Sequence, residues 1–238
     1  MGRAYEVRKA SIQKTGAAKA KLYSMYAREI YQAAKSGGVE LEANASLRRL
    51  VEKAKKEQVP ADIIKRAIDK VNSGIDESYQ TVVYELFGPS GSTLLVECLT
   101  DNLNRSVSSV RAVVNKCHIK MGGMGSVSYQ YDHLSVLAFS SFGEEDVMNA
   151  LIEEDLDVVD LEVEEDKVVV YVDPKDLFAA KDALGKHLSN INFDMDETLY
   201  LPKEKITLPD EDKELFQKLL VMLDDIEDVQ NVYHNVEL

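Results

Sequence analysis

Near Gly74 the apolar residues of this chain change their spacing, and that switch constrains the fold more than any single motif does. Ahead of it they recur every three or four residues: Leu22, Met25, Tyr26, Ile30 and Ala33; Leu47, Leu50, Val51 and Ala54; Ile63, Ile64, Ala67, Ile68 and Val71. An α-helix turns once every 3.6 residues, so each set lines one helical face. The spacing predicts helices over 17–36 and 45–58 and a third from Pro60 to the glycine at 74. Gly37 and Gly38 stop the first, Asn44 is placed to cap the second, and proline suits the first turn of the third. Such helices bury their stripes against one another, as a small bundle.

Beyond Gly74 the period moves toward two, with β-branched residues gathered in Thr81–Phe87 and Thr93–Thr100. The order that follows reads strand 93–100, helix 103–116, a glycine-rich turn at Gly122, Gly123 and Gly125, and strand 126–131. This is half of a βαββαβ plan. A complete copy follows: strand 134–140, helix 144–153, strands 157–163 and 167–172, helix 174–188 and strand 192–201. After Pro202, a strand at 205–208, a helix at 210–224 and a strand at 229–236 are expected to supply the missing half. The expected fold class is α+β: a basic N-terminal helical bundle followed by two ferredoxin-like α/β domains, one inserted in the other. The expected domains are 1–77, helical with an N-terminal arm; 78–133 plus 203–238, a split α/β domain; and 134–202, an inserted acidic α/β domain.

Charge follows the same partition. The chain has a formal net charge of -14, yet residues 1–75 hold 16 Lys or Arg against 8 Asp or Glu. Segregation of this kind points to a polyanion at the basic end; a basic helical surface without a ligand is the other reading. Lys21, Arg28 and Lys35 are spaced by seven and form a ridge along the first helix, with Lys19 beside it. Arg49, Lys53 and Lys56 share an outer face of the second helix, next to Arg48. Arg3, Arg8, Lys9 and Lys14 lie in a stretch with one acid, Glu6, and read as a basic arm that orders on a polyanion or as a frayed terminus. Tyr5, Tyr23 and Tyr31 are the aromatics available to stack on unpaired bases. In contrast, residues 134–202 carry 4 basic and 18 acidic residues, which form a solvated face or a surface for basic proteins.

Several function classes find no support. There is no phosphate-loop pattern, and the Gly122 cluster lacks a following Lys-Ser or Lys-Thr and reads as a tight turn. Cys117 and His118 are adjacent, with no second pair at zinc spacing, so no metal and no cofactor is expected. With 42 acids in the chain, paired carboxylates cannot single out a general acid and base, and no enzyme is expected. Two cysteines give no disulfide framework. No apolar run approaches the roughly 20 residues that span a bilayer, so a cytoplasmic protein without a membrane partner is expected.

Particular strings add to this. FGPSG at 87–91, ECLTDNLNRSVSSVR at 97–111, GSVSYQYD at 125–132 and VQNVYHN at 229–235 resemble the YebC family, over essentially the whole chain. The opening MGRAYEVRKASIQKTGAAKAKLYSMYAREIY is similar to the YeeN-type branch and departs from the HSKW-type opening of other members. The resemblance implies three domains and a DNA-binding regulator of transcription; it equally implies a link to translation, since relatives are tied to ribosomes and to mitochondrial translational activation. It places family motifs on Gly88, Pro89 and Gly91 and on Asp101, Asn102, Asn104 and Arg105. The expected partner is therefore nucleic acid, DNA or ribosomal RNA, with basic ribosomal or transcription proteins as candidates for the acidic domains.

Overall fold

The computed structural model describes residues 18–73, 78–164 and 166–238. Three helices come first: α1 (Ala18–Gly37), α2 (Ala45–Lys56) and α3 (Ala61–Asp69), the last continued by a short 3-10 turn at Lys70–Ser73. Their predicted stripes form one core, in which Tyr26, Ile30, Leu47, Val51, Ile64 and Ala67 are buried. Asn44 sets the angle between α1 and α2. Its side-chain Oδ1 accepts the Leu47 amide at 3.0 Å, while its Nδ2 donates to the carbonyls of Ala33 and Gly38, each at 2.8 Å. One buried side chain thus satisfies orphan groups at the end of one helix and the start of the next. A Cβ on Gly37 would come within 2.7 Å of the Asn44 amide, so this close approach needs glycine.

The first sheet is antiparallel, in the order β3-β1-β2-β8, from β1 (Gln80–Phe87), β2 (Thr93–Thr100), β3 (Lys120–Met121) and β8 (Val229–His234). Helix α4 (Leu103–Lys116) and helix α7 (Asp210–Asp224) pack on one face of it, around Leu86, Leu94, Val96, Val110, Phe216, Leu219 and Leu223. The predicted strand at 126–131 does not form. Glu85 explains why: buried on β1, its carboxylate accepts the amides of Gly125 at 2.6 Å and Val127 at 2.5 Å, which bends the segment into a loop. A buried carboxylate needs such donors, and the glycines let the backbone reach it. The predicted strand at 205–208 shrinks to one parallel bridge between Ile206 and Val236. Its place beside β2 is already taken by β1, which reaches it through the tight Gly88–Ser92 turn. The sheet keeps the strand order of a ferredoxin-like unit, with one central strand supplied from the front of the chain.

The second sheet has the order β5-β6-β4-β7, from β4 (Tyr131–Ser140), β5 (Asp160–Glu164), β6 (Lys167–Val172) and β7 (Phe193–Pro202). With α5 (Glu144–Ile152) and α6 (Leu177–His187) it completes a contiguous βαββαβ plan. Its core joins Leu137, Phe139, Val168, Val170, Val147, Leu151, Ala180 and Leu184. Among the described residues, 18–127 with 206–238 form one compact unit and 128–205 another. The α+β architecture is as the sequence predicts.

Candidate nucleic-acid interface

The bundle's cations meet two different fates. Along α1, Lys21 pairs with Asp224 at 3.1 Å and also donates to its backbone carbonyl at the end of α7. Arg28, only 11% exposed, donates to the Glu227 carbonyl at 3.0 Å, pairs with the Glu227 carboxylate and approaches Asp228 at 3.4 Å. Lys35, at the end of the helix, contacts Ser78 at 3.3 Å. The ridge predicted to follow a phosphate backbone thus faces carboxylates of its own chain along Lys21 and Arg28. Lys19 precedes it and is exposed.

Asp228 is the centre of this contact. It is 3% exposed and receives Arg105 through Nε at 3.2 Å and Nη2 at 2.8 Å, and the Thr100 hydroxyl at 3.0 Å. Arg105 also holds Asp101 at 2.7 Å. Asn102 caps α4 by accepting the Arg105 amide at 3.0 Å, while Asn104 is exposed on its first turn. The hydrogen bonds to Asp228 and then Asp101 push the Arg105 guanidinium above its ordinary value, and Arg105 in turn holds the Asp101 carboxyl below the usual range. The motif at 101–105 therefore builds a charge network. Gly88, Pro89 and Gly91 form the β1–β2 turn, closed by the Gly88 amide on the Ser92 carbonyl at 2.8 Å.

Helix α2 differs. Leu47, Val51 and Ala54 are buried and Arg48, Lys55 and Lys56 are exposed, whereas Arg49 and Lys53 are half-buried. The side chains of Arg48, Lys55 and, on α3, the exposed Lys65 make no hydrogen bond or ion pair with another described residue. Lys55 and Lys65 were not singled out from sequence, although Arg48 and Lys55 stand seven apart, the spacing that marked the α1 ridge. Of the tyrosines proposed for stacking, Tyr31 is buried edge-on to Tyr79 and beneath Lys70, and Tyr23 packs on the bundle core. Tyr5, Arg3, Arg8, Lys9 and Lys14 lie outside the described residues.

Elsewhere, burial pushes the Cys98 thiol up to about 11, which keeps it protonated at neutral pH. Among the described residues no helix is long and apolar enough to cross a membrane.

Comparisons with known proteins agree with this architecture. Residues 3–74 match the model of the TACO1/YebC protein N-terminal domain, and residues 79–236 match that of the TACO1/YebC second and third domain. A protein of Marinobacter nauticus named "Probable transcriptional regulatory protein" is 47% identical over 238 residues, covering 100% of this chain and 99% of its own. One of the same name from Hydrogenovibrio crunogenus is 48% identical over 241 residues, with full coverage of both. The crystal structure of a conserved hypothetical protein from Aquifex aeolicus superposes with a TM-score of 0.75 at 31% identity, over 94% of this chain and 92% of that one. Matched in both of its parts and over its full length, the chain belongs to the TACO1/YebC family.

Proposed function

We infer that this protein is a regulator of gene expression that binds nucleic acid through its helical bundle, with DNA as the target and regulation of transcription as the role. The observation that carries the reading is the segregation of charge: 16 cations against 8 acids in residues 1–75 of a chain whose net charge is -14. Arg48, Lys55 and Lys65 stand exposed and without described partners on two short helices, where they can meet phosphates. The names of the relatives support the regulatory role. The acidic unit at 128–205 would then recruit or position a basic protein partner.

Phosphate contacts carry no base information, so the same surface suits ribosomal RNA, and a ribosome-associated translation factor is the second reading. The test is a salt titration. Binding of a labelled 20-base-pair duplex should weaken in the triple variant Arg48→Gln, Lys55→Gln, Lys56→Gln, with the slope of log K against log salt shallower by about 3. An unchanged slope rejects α2 as the contact. Sedimentation of a lysate with and without ribonuclease separates the roles: ribonuclease-sensitive migration with ribosomal particles favours translation, and duplex binding by protein at the top of the gradient favours transcription.

A further inference from the structure

The second sheet has two apolar faces, and the helices of its unit use only one of them. Side chains alternate along a strand, and α5 and α6 pack against Leu137, Phe139, Val168, Val170 and Val172. The connecting segments go to the same side: Leu156 and Val158 after α5, and Leu188 and Ile191 after α6, join that core. The alternate residues point the other way. Val136, Ala138, Val169, Tyr171, Met195 and Leu199 are nevertheless each at most 5% exposed, although among the described residues of the unit no helix lies over them.

The strand registers set this outer face out in rows. Across the sheet from β5 to β7, one row runs Asp160, Tyr171, Val136, Glu197, and the next runs Glu162, Val169, Ala138, Met195. An apolar centre is thus edged by carboxylates, Asp160 and Glu162 on one outer strand and Glu197 on the other. Glu162 also accepts the Tyr171 hydroxyl at 3.0 Å. A cover that is apolar beneath and cationic at its margins matches such a face in both chemistries.

The chain itself contains a segment of that kind. Residues 1–17, 74–77 and 165 lie outside the described part, and of these only the first is long enough to cover a sheet. Seventeen residues reach at most about 60 Å when extended, whereas four strands are about 15 Å across. Ala4, Tyr5, Val7, Ala10 and Ile12 are interleaved there with Arg3, Arg8, Lys9 and Lys14, against the single acid Glu6.

We propose that the outer face of the second sheet is the seat of the chain's own N-terminal arm, with the arm's apolar side chains on the centre of the rows and its cations on Asp160, Glu162 and Glu197. In the free protein the arm is then a strap on the acidic unit, its charges answered within the chain, and a polyanion gains those charges only by displacing it. This assignment does not rest on the bundle's reading, since the arm and α2 are separate parts of the sequence.

Trypsin cleavage after Arg8 and Lys9, followed by mass spectrometry, tests it on the full chain. Cleavage tracks the population in which the segment is open, so it should be at least about tenfold slower in the chain than in a synthetic peptide of residues 1–17. The charge reversal Glu162→Lys, Glu197→Lys should restore several-fold of that rate, because the margins then repel the arm. Cleavage in the parent as fast as in the peptide overturns the proposal. So does protection that appears only when a duplex is added, which would give the arm to nucleic acid, and protection that the reversal leaves unchanged. A second measurement does not depend on the reversed variant folding. The labelled peptide should bind a chain shortened to begin at Thr15 at least about tenfold more tightly than the full chain, whose tethered arm competes at a high effective concentration. Equal affinity for the two chains, or binding to neither, overturns the proposal.

Discussion

Helices α1 and α2 carry the same sequence signal, cations seven residues apart on a polar face, and the fold treats them oppositely. On α1, Lys21 and Arg28 are turned toward Asp224, Glu227 and Asp228. On α2, Arg48 and Lys55 face solvent without a described partner. A basic stripe is thus a statement about what a helix can attract, and the nearest carboxylates decide whether that is a ligand or the rest of the chain. In the first case the charge holds bundle to sheet. In the second it remains available, and its value falls with salt.

The largest effect should come from removing the acid at the centre of the α1 contact. Asp228 receives hydrogen bonds from Arg105 and Thr100 and lies beside Arg28. Asp228→Ala takes the buried acceptor from Arg105 and leaves Arg28, itself mostly buried, with Glu227 alone, and breaking a buried pair costs about 3 to 5 kcal/mol. The expected result is a marked fall in the urea midpoint, read by circular dichroism. A midpoint within error of the parent would mean that the contact is ornamental and that the two helices do not differ in kind.

The double variant Lys21→Gln, Arg28→Gln sharpens the comparison. Lys21 and Arg28 hold acids, so their loss should lower stability, by about 1 to 3 kcal/mol as charge-assisted hydrogen bonds are lost. The salt slope for duplex binding should not move. A slope that becomes shallower by one or more, at unchanged stability, would show the α1 ridge on phosphates and reverse the assignment.

The helices, the contiguous βαββαβ order from β4 to β7 and the segregation of charge were legible because period and charge are local properties. Leu47, Val51 and Ala54 announce a buried stripe wherever α2 ends up, and all three are buried. Two strands were misread for the opposite reason. Val127, Tyr129 and Tyr131 alternate as a strand would, but Glu85, some 40 residues earlier, takes the Val127 amide away from any ladder. Residues 205–208 are apolar enough to pair, yet β1 holds the place beside β2. The site was legible to the same depth. Sequence located the cations; it could not tell Arg28 from Arg48, because the acids that engage Arg28 lie about 200 residues away.

The smallest effect tests the rim of the same network. Asp101 meets Arg105 at 2.7 Å with both side chains near half exposed, so solvent screens the pair and it contributes about 0.2 to 1 kcal/mol. Arg105 holds the Asp101 carboxyl below its ordinary range. A carboxyl depressed on folding stabilises the folded state above its unfolded value of about 4, and that contribution is lost as the pH falls through the folded value. Asp101→Asn should therefore be slightly less stable than the parent at pH 7, and the gap should close as the pH approaches 2. Urea midpoints at pH 7, 5 and 3 give the comparison. A gap that stays constant with pH would trace the effect to packing at the start of α4, and a gap that grows in acid would give the pair the wrong sign. Either result would confine the anchoring of Arg105 to Asp228, the buried side of the network, and leave Asp101 as part of the outer surface.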